Sequence, residues 1–258
     1  MLPAGADRVP GSDARQRRAW IESEQARLEA LKTAYMAEQP RINASGETAV
    51  AAGSVSDAAF REHVQWLARG KSGAGRMVLE HQRFAGKRFG SPRFKAARLV
   101  DCDLTGAVFG LTIFDEAELV RDVFARADLE TSTFRAAKID GGSFAGARLA
   151  STNWTGARLS GAALSNAELH KSVWHDAALI DVRLDGAALV NAILDRAAVE
   201  RCSFRAAVLA SPAELPEPTS KGARFVDCDL RDVDWSSRRL DGTTFIRCKL
   251  AGAHGKAR

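Results

Sequence analysis

Every fifth residue between Phe84 and Leu250 is large and apolar, and no single helix or strand can use that spacing. A helix repeats every 3.6 residues and a strand every two, so either would smear such a pattern around its whole surface. The ladder runs Phe84, Phe89, Phe94, Leu99, Leu104 and onward in strict register to Phe204 and Leu209. After one interruption it resumes at Phe225 and continues through Leu230, Trp235, Leu240 and Phe245 to Leu250. A unit repeated this many times must be a turn of a superhelix. Two residues before each large site sits a small one, most often Ala, as at Ala97, Ala107, Ala117 and Ala127. Gln82, Lys87, Pro92, Asp122 and Arg238 are the exceptions.

Units such as Ala97-Arg98-Leu99-Val100-Asp101, Cys102-Asp103-Leu104-Thr105-Gly106 and Ala157-Arg158-Leu159-Ser160-Gly161 resemble pentapeptide repeats. The resemblance implies an all-β solenoid: a right-handed quadrilateral parallel β-helix of about eight coils over 81–252. Four units would close each twenty-residue coil, with the large and small residues pointing inward. Sorting the ladder by twenty supports this internally. One column reads Phe94, Phe114, Phe134, Trp154, Trp174, Leu194; the next reads Leu99, Leu119, Ile139, Leu159, Leu179, Val199 and contains no aromatic ring. The interruption between Leu209 and Phe225 then reads as eleven residues bulged out of an unbroken helix. That reading makes 210–222 a loop, kept out of any ladder by Pro212, Pro216 and Pro218, and returns Phe225 to the aromatic column above Leu194.

Residues 1–11 are expected to be disordered and 12–80 to form a helical extension and N-terminal cap. Ser12 or Asp13 can cap a helix reaching about Glu38, with Trp20, Ile21, Leu28, Leu31 and Tyr35 along one side as a candidate dimer or partner surface. Residues 40–55 read as a linker. A second helix is expected from Ser56 or Asp57 to about Ala68, placed to cover the apolar end of the solenoid. Residues 253–258 read as a tail.

The net charge of +5, from 37 basic and 32 acidic residues, is dispersed rather than gathered into a basic tail. Direct nucleic-acid binding is therefore not expected. No run approaches the length needed to span a bilayer, and Met1–Gly11 lacks an apolar leader, so a cytoplasmic protein without membrane contact is expected. Cys102, Cys202, Cys228 and Cys248 all fall at inward small positions and read as core. His170 and His175 occupy successive sides, one corner apart, with no Cys or carboxylate at ligand spacing in the sequence. Phosphate-binding loops and nucleophile elbows are absent from the sequence. The chain reads as non-enzymatic, with no catalytic residue, no metal and no cofactor.

What folding does not consume is the outside. Ile113, Thr133, Val173 and Ile193 on one side, and Val100, Val120 and Ile180 on the next, are candidate protein contacts. So are Leu215, Pro216 and Glu217 in the loop. The expected function is a non-catalytic scaffold for a protein partner, monomeric or dimeric through the N-terminal helices. The resemblance implies an alternative: binding DNA gyrase or topoisomerase IV by imitating duplex DNA and protecting it from quinolones or natural poisons. Such imitation needs an acidic surface, whereas 81–258 carry a net +4, from 26 basic and 22 acidic residues. Pentapeptide modules also imply a third possibility, an accessory of a bacterial secretion or phage-like machine.

Overall fold

The computed structural model describes residues 57–89, 93–210 and 218–254. The expected helix carrying Trp20, Ile21, Leu28, Leu31 and Tyr35, and the loop residues Leu215, Pro216 and Glu217, lie outside the described residues.

The repeat closes into a four-sided parallel solenoid. Asp103 bridges to Val123, Val108 to Asp128, Ile113 to Thr133, and Glu118 pairs with Lys138, so four successive sides each meet the residue twenty further on. We number the sides by their inward residues: face one holds Leu104 and Phe124, face two Phe109 and Leu129, face three Phe114 and Phe134, face four Leu119 and Ile139. Face four is the most regular, with nine parallel rungs from Val78–Glu80 to Thr244–Ile246. Its rungs join through backbone bonds such as Glu118 N–H to Ala97 C=O at 2.9 Å. The corner after face four bends through left-handed residues: Asp101, Arg121, Asp181 and Arg201 have φ of 50–56°.

Inside, each column stacks on itself. In face three Phe94, Phe114, Phe134, Trp154 and Trp174 lie nearly parallel, with successive centroids 5.2, 5.0, 4.1 and 4.7 Å apart. The two indoles account for the hydroxyls of Thr152 and Ser172, at positions where the neighbouring faces use Ala; Thr112 and Ser132 hold the same position beside Phe rings. Trp154 Nε1–H donates to Thr152 Oγ1 and Trp174 Nε1–H to Ser172 Oγ, each at 2.8 Å. The hydroxyls pass their own protons to Leu149 and Leu169 carbonyls. A buried indole N–H without such a partner would cost the desolvation of a polar group.

The interruption resolves differently from expectation. Phe225 pairs with Val199, so it enters face four, not the aromatic column of face three. Leu194 N–H donates to Thr219 C=O, and Thr219 bridges to Arg239. Residues 218–222 are thus a side of the solenoid with Ser220 at its centre, not part of a loop. Val199 and Phe225 are 26 residues apart where other rungs are 20 apart, which leaves six inserted residues rather than eleven.

The corrected register gathers Cys202, Cys228 and Cys248 at equivalent places on face one of three consecutive coils. Their chemistry there is hydrogen bonding. On the other faces the N–H of the small residue bonds three residues back, as Ala107 to Leu104, Ser132 to Leu129 and Ala117 to Phe114. At two places on face one that N–H is met instead by a side chain from the next coil: Cys102 N–H by Asp122 Oδ1 at 2.8 Å, Val182 N–H by Cys202 Sγ at 3.3 Å. The thiols in turn donate to carbonyls such as Glu200 and Val226. Burial pushes the Cys202 and Cys228 thiols up to about 12 and about 11, so they remain protonated donors. Asp122 also accepts from Val120 N–H, which accounts for a carboxylate at an inward small position. Burial nonetheless raises its pKa to about 6.

Helix α1 (Asp57–Ala68) covers the first coil. The Phe60 ring meets Phe94 at 5.9 Å, and Trp66 and Met77 are buried. His63 fixes the arrangement with both ring nitrogens: Nε2–H donates to Lys95 C=O at 2.9 Å and Nδ1 accepts from Met77 N–H at 3.0 Å. That geometry requires neutral imidazole. Burial, with the Arg76 guanidinium adding to it, holds the His63 pKa below its ordinary 6.5. The unfolded state therefore binds the extra proton, and the contribution of His63 is complete above about pH 6.5 and lost as pH falls below it. Amide exchange in α1 should accelerate on acidification from pH 7 to 5 more than in the central coils, and His63→Gln should flatten that difference. An identical pH dependence in the variant would remove His63 as the cause.

Candidate partner-binding faces

The outward residue preceding each large residue of face three forms one continuous line. Arg93, Ile113, Thr133, Asn153, Val173 and Ile193 bridge in sequence from coil to coil. From Ile113 to Ile193 the line carries no charge, and its members are half-buried. All four face-three candidates, Ile113, Thr133, Val173 and Ile193, are thereby brought together. Leu111, two residues before Ile113, is 44% exposed and was not anticipated. Its signal in the sequence is a large apolar residue at a corner position that is polar or Gly in most units.

The face-four candidates do not join them. Val120, Asp140, Ser160 and Ile180 pair in succession, so a carboxylate and a hydroxyl separate the two apolar residues. Val100, expected to be available, is only 8% exposed, in register between Glu80 and Val120, whereas Ile180 at the equivalent place is 37% exposed. Val100 is a packing residue.

Charge on the outside is arranged in pairs one coil apart. Arg121 grips Asp101, Arg196 grips Asp176, Arg201 grips Asp181 and Arg247 grips Asp227, each with two nitrogens on two oxygens at 2.6–2.9 Å. The guanidinium hydrogen bonds hold all four carboxylates below their ordinary range. On face two Arg148 bonds both Asp128 and Glu130. The stacking that forms the solenoid thus places opposite charges beside each other, so these corners present alternating rather than single-sign potential. Among the described residues no group of three or more His, Cys, Asp or Glu is placed to hold a metal, and no helix is long and apolar enough to cross a membrane.

Residues 143–172 match the family model described as Pentapeptide repeats (8 copies). No curated protein matches the chain. Among solved structures, HetL, a pentapeptide repeat protein involved in heterocyst differentiation regulation from the cyanobacterium Nostoc, is 22% identical. That alignment covers 74% of this chain and 90% of HetL, with a TM-score of 0.37. Full-length QnrB1, a plasmid-mediated fluoroquinolone resistance protein, is 13% identical over 70% of this chain and 84% of its own, with a TM-score of 0.43. Rfr23, a pentapeptide repeat protein from the cyanobacterium Cyanothece, is 25% identical over 40% and 60% of the two chains, with a TM-score of 0.23. Residues 143–172 are thus pentapeptide repeats, and they lie within one uninterrupted five-residue register that extends on both sides of them and closes four-sided coils.

Proposed function

We propose that this protein is a non-catalytic scaffold that binds a protein partner along the outward line of face three. The observation that carries the reading is the run Ile113, Thr133, Asn153, Val173, Ile193: five consecutive coils present an uncharged side chain at the same place, spaced by the coil rise of about 4.8 Å. A frame stacked this regularly holds such a line with little entropy left to lose on binding, which favours recognition. Its four unpaired thiols accord with a cytoplasmic setting.

Imitation of duplex DNA toward a topoisomerase is the less favoured reading, because the paired Asp and Arg corners neutralise the charge that imitation requires. The test is capture of partners by the intact protein and by an Ile113→Lys/Val173→Lys double variant whose circular dichroism matches it. A partner held by the intact protein should bind the variant about tenfold or more weakly. Retention of every partner at equal affinity by a folded variant would remove face three as the contact surface.

A further inference from the structure

Arg238 stands at an inward small position, where most units of the repeat place Ala, Ser, Thr, Cys or Val, and it is only 5% exposed. Its guanidinium bonds carbonyls and one hydroxyl rather than a carboxylate. Nη2–H donates to Ala192 C=O and to Thr219 C=O at 3.0 Å; Nη1–H reaches Leu209 C=O at 3.5 Å and Nε–H reaches Ser220 Oγ at 3.1 Å. Burial lowers its pKa to about 10, so it carries its charge at neutral pH.

The acceptors have a pattern. Leu209 is the last inward residue before the six inserted residues, Thr219 and Ser220 belong to the first side after them, and Ala192 lies one coil below. Ser220 is also the one small residue in the face-three column, which otherwise holds Phe, Trp and Leu from Phe94 to Leu194 and Leu240. Large and small have exchanged places here: Ser220 vacates core volume, and the Arg238 side chain enters the same layer of the solenoid.

We propose that Arg238 is the positioning residue of the insertion, a buried clasp that ties the carbonyl before it to the carbonyl after it. Face two at Leu209 and the face-three side 218–222 are thereby joined although six extra residues separate them in sequence. Guanidinium suits the task because its planar fork carries five donors, enough to reach several fixed carbonyls at once. Lysine supplies one nitrogen. The inference rests on the coil geometry and is independent of any partner on face three.

The test uses the full chain and three variants: Arg238→Ala, Arg238→Lys and the double variant Ser220→Leu/Arg238→Ala, which restores the ordinary large and small pattern. Two quantities are read: the thermal midpoint, and the rate at which a glutamate-specific protease cuts after Glu214 under native conditions. Arg238→Ala should lower the midpoint by about 5 °C or more and raise cutting about tenfold. Arg238→Lys should fall between it and the parent in cutting. The double variant should recover most of the midpoint but none of the protection from cutting, because core volume returns while the tie across the insertion does not. Recovery of both would show that Arg238 only fills space and would overturn the proposal. So would unchanged cutting in Arg238→Ala.

Discussion

Trp154→Ala should lower the free energy of unfolding by about 3–5 kcal/mol, the range for truncating a fully buried large aromatic. Trp154 has no exposed surface, lies 4.1 Å from the Phe134 ring and 4.7 Å from Trp174, and meets the edge of Phe144 at 5.9 Å. In a globular core neighbouring side chains can lean into a cavity. In a stacked column the rings above and below are fixed by backbone ladders on every side, so collapse is restricted and the cavity persists. The loss also propagates, because coils are stabilised mainly by their nearest neighbours. Trp154→Phe separates ring packing from hydrogen bonding. It keeps a stacked ring and removes the indole bond to Thr152, whose hydroxyl still donates to Leu149, together with the volume of one fused ring. Its cost should be about 1–2 kcal/mol. Chemical unfolding of both variants checks this; an alanine variant within about 1 kcal/mol of the parent would mean that the central coils relax around a missing ring.

The stack containing Trp154 was legible in the sequence because each inward position repeats the same requirement and errors do not accumulate from Phe84 to Leu209. One atypical unit defeated that logic. The side formed by 218–222 has Pro at its small position and Ser220 at its large one, so a search for large apolar residues passes over it. Every later assignment then slipped by one face, which moved Phe225 out of its sheet and hid the stack of Cys202, Cys228 and Cys248. The clue lay eighteen residues downstream, in an arginine at a small position. Arg238 was visible as an exception, but connecting it to Ser220 required knowing which coils touch. The outer faces were less legible for a related reason. Val100 and Ile180 occupy equivalent places in the repeat, yet one is buried and the other exposed, because exposure depends on residues twenty positions away and on the end of the solenoid nearby.

Gly142→Ala should be the most damaging single-methyl change in the solenoid, at about 3 kcal/mol or more, through backbone strain and a clash that cannot be relieved by rotating a side chain. Gly142 has φ of +82°, and a Cβ built there would lie 2.5 Å from Asp122 O and 3.1 Å from Asp122 N. Neither feature belongs to the repeat: Asp122, Ala162, Val182 and Cys202 hold the same place in other coils, and none has positive φ. The demand for glycine is therefore local to the rung above Asp122, whose carboxylate is turned to the amides of Cys102 and Val120. Gly106→Ala is the control. Gly106 has φ of +61° at a corner, nothing lies within 4 Å of a Cβ built there, and Ala96, Ala136 and Ala206 already occupy that kind of corner at φ of 53–56°. Its cost should not exceed about 1 kcal/mol. The two substitutions add the same methyl group to residues of the same type in the same fold. A difference of about 2 kcal/mol or more in unfolding free energy would locate the strain at the Asp122 rung, whereas equal losses would show that adjacent coils separate easily enough to admit a methyl group anywhere along face one.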